Sequence, residues 1–206
     1  MSRRALASLV VLVLAACSPG DTAESAPGSP ARDSGRREVA VFAGGCFWSV
    51  EANFEAMPGV VSAVSGFAGG RAANPTYEQV IRGGTGHLEA VQVTFDPSRI
   101  TYRQLVDRFW RTIDPTDPDG QFCDQGPTYA TAVFASPSQK PAAEASRRAA
   151  AARIGPARFV TPVRDAARFW PAEAYHQDFA RENPVRYAGY RRFCGRAARL
   201  RAVWGA

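Results

Sequence analysis

The segment that most restricts the fold is an apolar run, Val39-Ala40-Val41-Phe42-Ala43, broken by Gly44-Gly45 and followed at once by Cys46 and helical spacing to Glu55. A strand apolar on both faces needs cover on both, which predicts a central, buried position in a sheet. Val60 to Phe67, closed by Gly69-Gly70, reads as a second strand, and Leu88 to Phe95 as a third, with a short helix between them from Thr76 to about Arg82. Thr101 to Ile113 carries the clearest helical stripe, in Tyr102, Leu105, Val106, Phe109, Trp110 and Ile113, and Thr101 with Gln104 makes a capping box. A Pro- and Gly-bearing loop runs from Asp114 to Pro127, then a fourth strand from Thr128 to Ala135 and an Ala-rich helix from Pro137 to about Arg153. A short strand is expected at Phe159 to Pro162, a short helix near Pro171, and coil from Asn183 onward. Irregular alternation of this kind predicts an α+β fold: a two-layer α/β sandwich with a mixed sheet, long loops and a coil-rich C-terminal tail, over residues 38–206.

The first residues belong to another regime. Ser2-Arg3-Arg4 precedes an apolar stretch, Ala5 to Ala16, too short to span a bilayer and of signal-peptide length. It ends in Leu14-Ala15-Ala16-Cys17, which resembles a bacterial lipobox. Residues 1–16 are therefore expected to be a lipoprotein signal peptide and Cys17 the lipidation point. Residues 17–37 are rich in Ser, Pro, Gly, Ala and charge, and cannot bury enough apolar surface to offset ordering. They are expected to be a disordered tether, with a reach of roughly 25 Å. Ser18 in place of a retention aspartate favours the outer membrane, so the domain would be a monomer lipid-anchored in the cell envelope and facing the periplasm. The formal charge of +6 comes from arginines scattered among acids, without a basic tract, and nucleic acid is not an expected partner.

Four cysteines occur, and assigning Cys17 to lipid leaves Cys46, Cys123 and Cys194, an odd set with at least one free thiol. Cys46, at a helix start after Gly-Gly, faces unsatisfied N–H groups and the positive helix end, which favour thiolate. Position alone leaves open whether it is a nucleophile or a small core residue. Glu89 shares one strand face with Val91, Val93 and Phe95, so an acid lies on an apolar face, where burial would keep it protonated near neutral pH. The bland reading is a Glu at a frayed strand end. Phe47 and Trp48 are either core or walls of an apolar pocket. His87, in a glycine-flanked turn, suits a turn role. Two histidines and no CxxC pair give no support for a metal site.

The run Gly44-Gly45-Cys46-Phe47-Trp48 resembles the signature of the A-type peptide methionine-(S)-sulfoxide reductases. The likeness continues in order through Gly66-Phe67-Ala68-Gly69-Gly70, Asn74-Pro75-Thr76-Tyr77, Thr85-Gly86-His87-Leu88-Glu89-Ala90-Val91, Phe95-Asp96-Pro97, Phe109-Trp110, Asp114-Pro115-Thr116, Asp124-Gln125-Gly126 with Tyr129, and Ala172-Glu173-Ala174-Tyr175-His176-Gln177. The resemblance implies reduction of methionine-S-sulfoxide, free or in proteins, with no bound cofactor. It implies Cys46 as nucleophile, Glu89 as proton donor, and Tyr77 and Tyr129 as hydrogen-bond donors to the sulfoxide oxygen. Phe47 and Trp48 would hold the S-methyl group, and Asp124 would orient Glu89 or a water. Cys194, before Gly195, resembles a recycling cysteine, implying a Cys46–Cys194 disulfide reduced by a thioredoxin-like dithiol protein. Cys123 departs from the pattern, as many members carry Asn there; it is either a second resolving thiol or a small loop residue. Ser49 replaces the usual Gly. A thiol peroxidase, or a non-catalytic lipoprotein that binds Met-containing segments, would also use parts of this pattern; competing hydrogen peroxide with methionine sulfoxide in one assay separates the first, and sulfoxide turnover with excess reductant separates the second.

Overall fold

The computed structural model describes residues 35–205. The expected signal peptide, Cys17 and nearly all of the expected tether lie outside the described residues. The apolar run forms β1 (Glu38–Gly44), and the next strands are β2 (Val60–Ala68) and β3 (Leu88–Phe95). Two short strands, β4 (Gly120–Gln121) and β5 (Asp124–Gln125), pair with each other. β6 (Thr131–Ala135), β7 (Val163–Asp165) and β8 (Phe169–Pro171) complete the main sheet, in the order β7-β6-β1-β3-β2-β8. β1 is an interior strand, antiparallel to both β3 and β6, while β6 and β7 run parallel, so the sheet is mixed as expected.

The alternation within β1 explains why the run is apolar throughout. Ala40 and Phe42 join the main core, while Ala43 packs in a smaller cluster with Ala68, Leu88, Ala90, Ala132 and Phe134. Over the first face lie α1 (Phe47–Glu55), α3 (Tyr102–Trp110) and α4 (Lys140–Ile154). Phe42 meets Phe54 at 4.6 Å and Phe109 at 4.9 Å between ring centroids. Both halves of the Thr101/Gln104 capping box form at the start of α3. Trp110, fully buried, donates its indole N–H to Ser146 Oγ at 2.8 Å, tying α3 to α4. Removal of such a ring costs about 3–5 kcal/mol.

Three expectations are corrected. Phe159 to Pro162 is not a strand: Phe159 turns inward against Trp110, and pairing with β6 begins only at Val163. Pro162 has no N–H to give a ladder, but its carbonyl accepts from Val133. Near Pro171 the chain is strand β8 rather than helix, at the sheet edge where proline is tolerated, with a single helical turn after it at Ala174–His176.

The tail is helical rather than coil. It forms α5 (Phe179–Glu182), α6 (Pro184–Phe193) and α7 (Arg196–Trp204), and the remaining helix of the fold, α2, spans Tyr77–Arg82. Individual contacts anchor these helices instead of an apolar stripe. Tyr187 is buried, Arg199 pairs with Asp114 Oδ2 at 2.5 Å, and the Trp204 indole N–H reaches the Ile113 carbonyl at 3.0 Å. Periodicity has nothing to register in such a segment.

Candidate active site

The Gly44-Gly45 turn delivers Cys46 to the N-cap of α1. Gly45 has φ +79°, and a Cβ there would stand 2.5 Å from Gln121 Cβ, so no side chain fits. A helix start leaves its first N–H groups without partners. The Phe47 N–H finds one 42 residues away, donating to Glu89 Oε2 at 2.8 Å. β3 supplies that acid from the same face as Val91, Val93 and Phe95, all fully buried, and Glu89 itself is 2% exposed. The frayed-end reading is thereby excluded. Burial pushes the Glu89 carboxyl up to about 8, against the pull of the Phe47 bond and with a further push from the Asp124 charge. At neutral pH it is mostly an acid with a proton to give.

Cys46 departs from expectation. Its side chain is nearly out of water, and burial, with the Glu89 charge adding to it, pushes the thiol up to about 12. The positive helix end does not prevail, because desolvation of a sulfur anion outweighs it and Glu89 already takes one of its N–H groups. The Tyr190 hydroxyl and the Trp48 backbone favour the anion. Protonation of Glu89 removes one of the upward pushes.

Tyr77 opens α2 and Tyr129 ends the single turn Pro127–Tyr129; both phenols feel the charges of Glu89 and Cys46. Burial raises both phenols, Tyr77 to about 12, so both stay neutral donors. The Tyr77 backbone is held by Glu173, whose Oε1 accepts its N–H at 2.9 Å. Asp124, half-buried in β5, accepts from the Tyr190 hydroxyl at 2.5 Å. Cys46, Glu89, Tyr77, Tyr129 and Asp124, drawn from five separate elements, thus form one electrostatic cluster.

Phe47 is wholly buried against Phe67, Tyr77 and His176. Trp48, half-buried, stacks on Phe179 at 3.7 Å and 7°, and its indole N–H donates to His176 Nδ1 at 3.2 Å. His87 serves its turn: Nδ1 accepts from the Gly70 N–H at 3.2 Å and Nε2 contacts the Ala72 carbonyl at 2.8 Å.

The family model for peptide methionine sulfoxide reductase matches residues 38–206, the whole of the folded domain. The chain belongs to that family. It is 49% identical over 177 residues to peptide methionine sulfoxide reductase MsrA 2 of Caulobacter vibrioides, covering 86% of this chain and 90% of that one. It is 52% identical to MsrA 2 of Rhizobium meliloti, covering 85% and 87%. Among solved structures, methionine sulfoxide reductase A of Corynebacterium diphtheriae superposes with a TM-score of 0.67 at 32% identity, over 75% of this chain and 79% of that one. Reduced Mxr1 of Saccharomyces cerevisiae gives 0.68 at 28%, over 75% and 90%. The chain is accordingly an oxidoreductase with this family's mixed α/β fold.

Its cysteines are arranged otherwise than the expected Cys46–Cys194 pair. Cys194 is bonded to Cys123, with Cα atoms 4.7 Å apart, and Cys46 is a free, buried thiol. Cys194 caps the end of α6, and Gly195, at φ +59°, reverses the chain into α7. The tail thus comes to the half-buried Cys123 between β4 and β5, and the loop need not move. Cys123, Asp124 and Cys194 offer ligand atoms within 4.8 Å of one another, but in the disulfide state neither sulfur is a thiolate. Sequence reasoning missed Tyr190, His176 and Arg196. His176 stands within the family-like run Ala172 to Gln177, which gave it no role, while Tyr190 and Arg196 lie in segments without apolar rhythm, where only the fold marks them out.

Proposed function

We propose that Cys46 reduces the S epimer of methionine sulfoxide, free or in proteins. The carrying observation is Glu89: a carboxyl buried among apolar side chains, which favours its protonated form, accepting the N–H of the residue after the thiol. The Cys46 sulfur attacks the sulfoxide sulfur, and Glu89 protonates the oxygen as the substrate's S–O bond breaks. Tyr77 and Tyr129 donate hydrogen bonds to the charge that builds there. The hydroxide so released attacks the Cys46 sulfur, the new bond from Cys46 to the substrate sulfur breaks with its electron pair going to methionine, and Cys46 carries the oxygen as a sulfenic acid. Trp48 and Phe47 form the apolar wall for the S-methyl group. Cys194 then attacks the sulfenic acid, water departs and a Cys46–Cys194 disulfide forms. Exchange with Cys123 moves that bond to Cys123–Cys194 and frees Cys46. A thioredoxin-like dithiol protein reduces the final pair; Cys123, more exposed than Cys194, suits an incoming thiolate.

In the cell, Cys17 carries lipid and the domain repairs oxidised envelope proteins from the membrane surface; the lipobox and the tether composition support this. Cys17→Ala is expected to move the protein from the membrane to the soluble fraction, and unchanged partition contradicts the anchor. For the chemistry, the two methionine sulfoxide epimers are supplied separately with a thioredoxin system. Turnover of the S form alone, abolished in Cys46→Ser, is expected, and activity retained in that variant overturns the assignment.

A further inference from the structure

Val185, 86% exposed, and Phe193, 85% exposed, are the barest large apolar side chains among the described residues, and both stand on α6. The inward positions of that helix are Tyr187, Tyr190 and Cys194, spaced i, i+3 and i+7. Tyr187 is buried, Tyr190 donates to Asp124 Oδ2 at 2.5 Å, and Cys194 is bonded to Cys123. The outward positions, Val185, Ala188, Gly189, Arg192 and Phe193, keep the i, i+3, i+4, i+7, i+8 spacing of an apolar stripe, with Arg192 its one charged member, yet all five face water. Four of them, with Pro184, line an open groove of about 510 Å³. A stripe of that kind ordinarily turns to a core; turned to solvent, it marks a surface for another molecule to cover.

Gly189 is an independent sign of the same thing. A glycine inside a helix costs about 1 kcal/mol relative to alanine. Gly189 is not among the residues of positive φ, and a Cβ there would meet nothing within 4 Å, so neither the backbone nor the packing of this chain asks for glycine. The close approach of another molecule to the helix backbone does. Charge gives the partner its character. α6 carries Arg186, Arg191 and Arg192 and no acid, and none of the three forms an ion pair among the described residues. An apolar surface with an acidic rim complements such a stripe. The stripe ends at Phe193, next to Cys194, so a molecule lying along it is brought to the disulfide.

We propose that this face of α6 is the docking surface for the dithiol protein that reduces Cys123–Cys194, a partner whose reactive thiol lies in an apolar surface rimmed by acidic side chains. The inference rests on the proposed recycling through that disulfide. The partner's thiolate bonds to Cys123 Sγ, the Cys123–Cys194 bond breaks, and its electron pair leaves on Cys194, which takes a proton. The partner's second thiol then displaces Cys123, which takes the other proton, and the partner departs as a disulfide. Docking along the stripe holds the attacking sulfur at Cys123, which a small thiol reaches by collision alone.

The test follows reduction of the Cys123–Cys194 disulfide in the oxidised full chain, read by thiol alkylation and peptide mass mapping. The reductant is either a bacterial thioredoxin, kept reduced by its reductase and NADPH, or dithiothreitol alone. At limiting thioredoxin, Val185→Ser, Gly189→Gln, Arg192→Glu and Phe193→Ser are each expected to slow reduction about tenfold, with dithiothreitol rates within about twofold of wild type. Gly189→Gln should at the same time keep or raise the melting temperature, because glutamine favours helix. Val185 lies roughly 12 Å along the helix from Phe193. Val185→Ser therefore acts on docking and not on the sulfurs, and it decides if Phe193→Ser disturbs the disulfide. Unchanged thioredoxin rates overturn the proposal and leave the stripe to a membrane or a second copy, which partition and sedimentation of the same variants tell apart. Equal slowing with dithiothreitol also overturns it, as does a wild-type disulfide that dithiothreitol reduces and thioredoxin does not. None of these rates involves sulfoxide. Thioredoxin-specific losses in the variants, with no methionine release by wild type, would count against the proposed function and leave the docking face standing.

Discussion

Glu89 offers a prediction whose size follows from its burial. With the carboxyl pushed up to about 8, about nine-tenths of it is protonated at pH 7 and about one-tenth at pH 9. Cys46, pushed up to about 12, gains thiolate over the same range, so the ratio of first-turnover methionine release in pre-reduced wild type to that in Glu89→Gln is expected to fall about tenfold between those pH values. Recycling thiols do not enter such a measurement. Glu89→Gln keeps the shape and can still accept the Phe47 N–H, but has no proton to give, and should slow release by about 10²–10⁴-fold. Stability falls with rising pH as well. A carboxyl that binds its proton more tightly folded than unfolded contributes most below its ordinary 4.5, and that contribution is eroded as pH rises towards about 8. At about 1.4 kcal/mol per pH unit the erosion reaches on the order of 5 kcal/mol. Urea denaturation across pH 5 to 9 should therefore show wild-type protein losing stability with pH through a window in which Glu89→Gln does not. Parallel stability curves, or a wild-type to Glu89→Gln rate ratio that stays level from pH 7 to pH 9, would refute the neutral-acid reading.

Three further outcomes are expected. Cys194→Ser should release about one methionine per chain without external thiol and then stop; sustained turnover with a thioredoxin-like donor alone would remove Cys194 from recycling. Gly45→Ala should lower the melting temperature by roughly 5 °C, about 2 kcal/mol, since φ is +79° and the new methyl meets Gln121; an unchanged midpoint would mean the turn can rearrange. Gln177→Ala removes bonds to the Ser65 N–H and carbonyl and to the Ala172 carbonyl, each 2.9 Å. The Ser65 amide should then exchange faster with solvent, and protection equal to wild type would show that water replaces the side chain.

The sheet was legible because its signals are local: β3 was bounded correctly at Leu88 and Phe95, and α3 announced itself through its stripe and capping box. Glu89 was legible for the same reason, as period-2 alternation places an acid among Val91, Val93 and Phe95 without knowledge of any neighbour. Residue order also carried the family motifs around Cys46. The tertiary structure alone decided the rest. The ionisation of Cys46 depends on how much water and which charges surround it, and the expected thiolate gave way to a buried thiol. The cysteine pairing depends on where α6 ends, and arginine-rich helices pinned by single contacts such as Arg199 with Asp114 leave no periodic trace. Tyr190 meets Asp124 across a sequence separation of 66, a proximity set by chain path and not by spacing. Periodicity reports which side of an element is dry; which distant groups share that dry space is settled only when the elements pack.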